Sequence, residues 1–263
     1  MFTLGIIQFA PMLGEIETNT ALVRSRLDEL AHADLVILPE LASTGYNFSS
    51  PEMAISLSEE PAGSQYVEML IYRASVNRQW IVSGFNERGD GRIYNASLLI
   101  SPRGLEGIYR KMHLFMREKD YFTPGSGGLC VYDTGFCRIG MQICFDYLFP
   151  EPWRILAEQG AELICHPSNL LTQNANKALP GIALMNRVFI ATANRTGAEG
   201  ALTFNGGSAV LGPGGDVLAK AGPADEALLC MEIDPTLAHD KMITSMNHVF
   251  GDRRPEQYLK DNC

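Results

Sequence analysis

The stretch "GMQICFDYLFPEPWR", residues 140–154, changes character in its middle. It begins inside an apolar run, "CRIGMQICF" from residue 137, and ends in a segment that opens with Pro150 and Pro152. An unbroken apolar run of this length predicts a strand buried on both faces. Proline at the first positions of the next segment, with Gly160 as a stop, predicts a helix over "PEPWRILAEQG". Cys144 sits at the junction. A buried cysteine is usually a small hydrophobe, but at the open end of a strand its thiol can be a nucleophile. The rest of the chain has to choose.

Working outward, the same grammar recurs. "TLGIIQF" (3–9), "DLVILPE" (34–40), "QWIVSGFNE" (79–87), "AELICHPSN" (161–169), "FIATANR" (189–195) and "ALLCMEID" (227–234) read as strands. "RIYNASLLISPRGLEGIYR" (92–110) reads as two strands joined at Ser101-Pro102-Arg103-Gly104, and "GSAVLGPGGDVLAKAG" (207–222) as a hairpin around Gly212–Gly215. Helical spacing of Leu22, Leu27 and Leu30 predicts a helix in "ETNTALVRSRLDELAHA" (17–33), with Thr18 or Asn19 able to cap it. Further helices are expected over residues 63–78 and in "LPGIALMNRV" (179–188). Strands outnumber helices, and adjacent strand pairs alternate with strand–helix units. The expectation is an α/β fold of mixed sheets with helices on their outer faces, one domain over residues 1–263.

Bulk properties remove several functions. The formal charge is −9 and no Lys/Arg cluster appears, which argues against a nucleic-acid or anionic-membrane surface. No apolar run approaches the ~18 residues of a membrane span, and the N-terminus lacks the basic start of a signal peptide. The six cysteines form no CxxC, so a reduced, cytoplasmic protein is the simplest account. Cys165 and Cys230 sit in apolar strands, Cys130 and Cys137 flank a turn, and Cys263 is terminal; all are read as structural or incidental, with a Cys130–Cys137 disulfide as the minor alternative. The five histidines are scattered, with no zinc spacing and no HExxH, so no metal is expected. There is no Walker loop, the glycines at 212–215 precede a strand rather than a helix, and no cysteine is followed by an arginine six positions on. No cofactor is implied. Cys165 and His166 point to opposite faces of a strand and cannot form a dyad; His113 or His248 could still meet Cys144 in space.

Carboxylates offer more. Glu40 follows the strand "LVILP", Lys111 ends the strand before "MHLF", and Cys144 ends a third. Ligands collect outside the carboxyl ends of strands in open α/β layers. A glutamate there can deprotonate a thiol, and a lysine can favour the thiolate and stabilise an oxyanion.

These segments resemble the signatures of the nitrilase superfamily, the thiol-dependent carbon–nitrogen hydrolases. "LPELASTGY" is similar to its glutamate motif, "YRKMHLF" to its lysine motif and "GMQICFDYLFPE" to its cysteine motif, in the same order and with gaps of 71 and 33 residues between the catalytic positions. "GIIQFAPMLGEIETN", "PSNL" and "FGDRRPEQY" resemble the family's opening segment, substrate-side loop and closing segment. The resemblance implies a four-layer αββα sandwich, a homodimer or higher homo-oligomer built through helices beside the site, and catalysis by Cys144 as nucleophile, Glu40 as general base and Lys111 as oxyanion-side cation. It also implies a second glutamate, Glu118 in "REKDYFTPG", that orients the site. The expected reaction is thioester formation on Cys144 from a small amide, with the Phe145 N–H and Lys111 holding the oxyanion, then hydrolysis to a carboxylic acid and ammonia. The dipole of the following helix is expected to favour the Cys144 thiolate. Tyr46, Phe48, Tyr147 and Asn169 are the expected pocket liners, suiting a small and largely apolar acyl group. Nitrile hydrolysis is the near alternative, carbamoyl hydrolysis another, and a non-catalytic thiol sensor or assembly module the reading from outside enzymology. N-acyl transfer would need an amine acceptor site that nothing in the chain supplies.

Overall fold

The computed structural model describes residues 1–258. Five strands in succession build most of the first sheet: β1 (Phe2–Gln8), β2 (Leu35–Ile37), β3 (Trp80–Gly89), β4 (Arg92–Ser101) and β5 (Gly104–Arg110). The second sheet takes β6 (Tyr132–Asp133), β7 (Arg138–Met141), β8 (Leu163–Ser168) and β9 (Phe189–Asn194). After a small hairpin, β10 (Ala198–Glu199) and β11 (Leu202–Thr203), it is completed by β12 (Ala209–Leu211) and β13 (Val217–Lys220). Then β14 (Ala227–Ile233) returns to the first sheet beside β1. The two orders are β14-β1-β2-β3-β4-β5 and β13-β12-β9-β8-β7-β6. In each, three central strands run parallel and the flanking strands run antiparallel.

That parallel centre explains the unbroken apolar runs. Leu4, Ile6, Leu35, Ile37 and Val82 point into a core shared with Ile139, Met141 and Leu163 of the second sheet. Their strand neighbours Ile7, Val36 and Ile81 point the other way. They pack under helices α1 (Ile16–Glu29) and α3 (Gln65–Asn77), between which the short α2 (Pro51–Ser56) intervenes. After the four-residue α4 (Glu118–Tyr121), helices α5 (Pro150–Glu158) and α6 (Asn174–Asn186) pack on the second sheet through Trp153, Leu156, Leu179 and Ile182. The layers are therefore helix, sheet, sheet, helix: an αββα sandwich.

Three local expectations are corrected. α1 begins at Ile16 with Glu15 as its cap, and neither Thr18 nor Asn19 serves. The Asn19 carboxamide is instead buried, bonded to both backbone groups of Met12 and to the Ser43 carbonyl at 2.8 Å each, because a short amide satisfies backbone groups outside a helix as readily as at its end. α6 begins five residues earlier than expected, with Pro180 in its interior, since burial of Ala175 and Leu179 outweighs the preference of proline for a first turn. β7 stops at Met141, so Cys144 lies beyond the strand rather than in it. Among the described residues the cysteines are free, with Cys137, Cys144 and Cys165 buried and Cys130 and Cys230 exposed. Cys263 lies outside the described residues.

One glycine sets where the chain leaves β2. Gly84 donates its N–H to the Pro39 carbonyl at 3.1 Å and accepts from the Ala42 N–H at 3.3 Å, tying β3 to the Glu40 turn. A Cβ on Gly84 would stand 2.4 Å from both the Glu40 Cα and the Leu41 nitrogen, closer than backbone atoms permit. Gly84→Ala should therefore lower the free energy of unfolding by about 1–3 kcal/mol in urea titrations. Gly181→Ala, in mid-α6 with nothing within 4 Å of the added carbon, should raise it by roughly 0.5–1 kcal/mol. Equal midpoints for Gly84→Ala and the wild type would show that the turn yields instead.

Candidate active site

Glu40, Lys111 and Glu118 meet in the interior. Glu40 follows β2, and Lys111 follows β5 with its backbone N–H bonded to the Asn95 carbonyl at 2.8 Å. The Lys111 ammonium donates to Glu40 Oε1 at 2.6 Å and to Glu118 Oε1 at 2.8 Å, and all three side chains are almost fully buried. Asn95 Nδ2 also donates to Glu40 Oε1, at 2.6 Å. Glu118, which opens α4, accepts from the Tyr46 hydroxyl at 2.7 Å and, through its other oxygen, from the Phe115 N–H at 3.2 Å. Among the described residues one carboxylate oxygen of this cluster is left over: Glu40 Oε2 is buried without a partner, as is the amide oxygen of Asn95 beside it.

Cys144 stands in a single 3₁₀ turn, Cys144–Leu148, with φ at +42°. A non-glycine residue held left-handed is uncommon and must be held by its surroundings. Two groups do so. The buried Asp146 carboxylate accepts from the Ile143 N–H at 2.9 Å, the Tyr109 hydroxyl at 2.7 Å and the His113 N–H at 3.2 Å, with His113 Nδ1 at 2.7 Å. On the other side, His166 Nε2 donates to the Cys144 carbonyl at 2.9 Å while Thr192 Oγ1 lies 3.0 Å from Nδ1. The first hydrogen bond of the turn runs from the Asp146 N–H to the Ile143 carbonyl. The Phe145 N–H precedes it and is one of the amides a helix start leaves without an internal partner.

The thiol opens on a cavity of about 180 Å³, lined also by Phe115, Phe145, Tyr147, Asn169 and Leu171. Phe115 and Leu171 divide it from a smaller space of about 70 Å³ that holds Tyr46, Glu118 and Tyr121. Of the residues expected around the substrate, Phe145, Tyr147 and Asn169 line the first cavity and Tyr46 the second. Phe48 reaches neither; it is fully buried with Leu41 and Ala54, edge-on to Tyr121 and Phe122. Among the described residues no histidine is hydrogen-bonded to the Cys144 thiol: His113 serves Asp146, His166 the Cys144 carbonyl, and His248 the Phe250 and Gly251 amides.

A family model described as "Carbon-nitrogen hydrolase" matches residues 3–241. The chain belongs to the carbon–nitrogen hydrolase family. It is 38% identical over 262 residues to a protein named nitrilase from Pyrococcus abyssi, covering 99% of this chain and 100% of that one. It is 31% identical to the N-carbamoylputrescine amidase of Solanum lycopersicum, covering 98% of this chain and 94% of the relative. Among solved structures it is similar to a glutamate-to-glutamine variant of the amidase from Nesterenkonia sp. AN1. The match has a TM-score of 0.79 and 25% identity over 97% of this chain and 94% of the other. In that amidase the acetamide moiety of fluoroacetamide is covalently added at the active-site cysteine.

Protonation in this hydrolase departs from one expectation. Burial, reinforced by Glu40, pushes the Cys144 thiol well above its ordinary value; Lys111 and the Asn169 backbone amide offset only part of this. The helix beyond the turn does not produce a resting thiolate, because burial of the sulfur, with Glu40 and Glu118 adding to it, outweighs the Lys111 ammonium. Burial likewise opposes the Lys111 charge, but Glu118 and Glu40 outweigh it and raise its pKa, so Lys111 stays cationic. Burial raises Glu118, with Lys111 acting against the shift. Sequence reasoning passed over Asn95 and Asp146 and weighed His166 only as a partner of Cys165; their partners are distant in sequence, apart from the Asp146 bond to Ile143. Only the aspartate two residues after Cys144 carried a local hint, as a residue able to cap a turn.

His166 yields a prediction. Burial lowers its pKa to about 4, whereas an unfolded histidine titrates near ~6.5. The unfolded chain therefore binds the proton first, and this contribution to stability is complete above pH ~6.5 and is lost as the pH falls towards 4, by about 3 kcal/mol at most. His166→Gln should lose that component, so the stability gap between wild type and variant should narrow as urea titrations move from pH 7 to pH 4.5. A constant gap would mean the imidazole titrates normally in the fold.

Proposed function

We propose that this carbon–nitrogen hydrolase cleaves the C–N bond of a small amide through a thioester on Cys144, with Glu40 as general base, Lys111 as the oxyanion-side cation and Glu118 as the group that orients Lys111. The observation that carries the reading is the unpartnered Glu40 Oε2. Its sister oxygen is occupied by Lys111 and Asn95, and the thiol it must deprotonate is neutral at rest. Attack of Cys144 Sγ on the amide carbon passes the thiol proton to Oε2 as the S–C bond forms. The oxyanion lies between the Lys111 ammonium and the Phe145 N–H. Glu40 returns the proton to the departing nitrogen, ammonia leaves, and Glu40 then deprotonates the water that cleaves the thioester to the carboxylic acid. Coupling deprotonation to attack suits a site where a free thiolate is disfavoured.

A second reading, nitrile hydrolysis, is supported by the Pyrococcus abyssi relative that carries that name; the adduct in the Nesterenkonia amidase favours the amide. Ammonia release from matched short amides and nitriles decides between them. Cys144→Ala and Glu40→Gln should abolish it, and Lys111→Met should lower kcat by roughly 10²–10³. Release that survives Cys144→Ala would overturn the mechanism. Alkylation of Cys144 without turnover of any substrate would favour the thiol-sensor reading.

One domain over the whole chain is supported by the core that both sheets share, and a reducing, cytoplasmic location by the free cysteines. We also propose a homodimer through α5 and α6, whose Ile155, Leu184 and Met185 are exposed apolar side chains. Sedimentation should give about twice the chain mass of 28.9 kDa, and Leu184→Glu with Met185→Glu should return it to the monomer. A monomeric wild type would refute the dimer.

A further inference from the structure

Asn169 presents a problem that the chemistry above does not use. It follows β8, is 2% exposed, and lines the cavity in front of Cys144. Among the described residues both its Oδ1 and its Nδ2 are buried without a hydrogen-bond partner. A buried carboxamide with neither group satisfied costs free energy, so such a group in a native protein calls for a partner. Asn194, at the end of the neighbouring β9, shows the contrast: its Oδ1 accepts from the Leu170 N–H and its Nδ2 donates to Asn205 Oδ1 and the Gly206 carbonyl. The fold thus supplies partners for one asparagine and leaves the adjacent one open towards the cavity.

The remaining wall narrows what that partner can be. Among the described residues, none that lines this cavity carries a charge beside the neutral Cys144 thiol; Phe115, Phe145, Leu170 and Leu171 are apolar, and Tyr147, Thr172 and Asn174 add uncharged polar groups. A carboxylate or ammonium on the acyl chain would lose its hydration there without an opposite charge to meet. A purely aliphatic chain would leave the Asn169 amide as unsatisfied as it is now. A chain carrying an uncharged group that both donates and accepts would satisfy both atoms.

We propose that the Asn169 carboxamide is the acyl-side specificity determinant of this hydrolase, and that its preferred substrates are short amides whose acyl chain bears an uncharged donor–acceptor group, a second carboxamide or a hydroxyl. This rests on the amide-hydrolase reading and deepens it, replacing the expected apolar acyl group with a polar, uncharged one. The attacked carbon stays at Cys144, and Asn169 takes no part in proton transfer. It holds the far end of the acyl chain while the scissile carbonyl lies at the thiol.

The test compares kcat/KM for butyramide, malonamide, succinamide, 3-hydroxypropionamide and succinamate, followed as ammonia release. In the wild type the best of the two diamides and the hydroxyamide should exceed butyramide by roughly 10- to 100-fold, the factor expected when a buried hydrogen-bonding group gains its partner. The charged succinamate should fall below all of them. In Asn169→Leu, of similar volume and without polar atoms, the ratio of that best substrate to butyramide should collapse towards one. A wild-type ratio near one with butyramide turned over would overturn the role of Asn169 and leave the hydrolase reading standing. A large ratio unchanged in Asn169→Leu would do the same, placing the selectivity elsewhere in the cavity. Ammonia from none of the amides or the matching nitriles would overturn both.

Discussion

The Lys111 ammonium holds two carboxylates in an interior that none of the three could enter alone. Isolated charges are too costly to bury, and a pair becomes tolerable only with short contacts and further hydrogen bonds. That constraint reaches through the architecture. β2 and β5 must end together to bring Glu40 to Lys111; α4 must turn back so that Glu118 meets the same ammonium; and the Tyr46 hydroxyl and Asn95 amide must supply the remaining donors. The loop that carries Tyr46 is itself secured, because the buried Glu199 carboxylate, paired with Arg195, accepts from the Tyr46 and Asn47 backbone amides at 3.0 and 2.7 Å. A second ion pair therefore stands behind the first.

The chemical consequence is an asymmetry between the two oxygens of Glu40. The Lys111 ammonium and the Asn95 carboxamide both donate to Oε1, and a third donor, the thiol, cannot share the same atom. With Oε1 saturated, Oε2 is the strong acceptor left for a proton. Burial, reinforced by Glu40, explains why Cys144 rests as a thiol, and why the proposed reaction couples deprotonation to attack. The strained Cys144 backbone belongs to the same design. Asp146, bonded to β5 and the loop after it, and His166, bonded to β9, hold the turn that a free chain would relax.

Much of this could be read before any coordinates. Unbroken apolar runs reported the parallel strands, because a strand covered on both faces has no polar face to alternate. Prolines and glycines marked α5 and the hairpins. Glu40, Lys111 and Cys144 were legible because each sits within a residue or a few of a strand end, a position set by local pattern. The start of α6 and the cap of α1 were not, since burial of Ala175 and Leu179 and the bonds of Asn19 arise only when distant segments meet. Phe48 shows the same limit from the other side: its aromatic ring near Glu40 is equally compatible with pocket and core, and packing against Tyr121 and Phe122 decided for the core.

The sequence by itself determined the main strands and helices of the sandwich and the family, and it pointed to Glu40, Lys111 and Cys144 as candidates for the chemistry, because these depend on short-range pattern and on side-chain type. Only the tertiary structure decided which oxygen of Glu40 is free, that the thiol is neutral, which side chains brace Cys144 and that Asn169 lies unsatisfied in a cavity without charges. Those properties belong to distances and burial between residues tens of positions apart, and a pKa or an unmet hydrogen bond has no value until the neighbours that set it are in place.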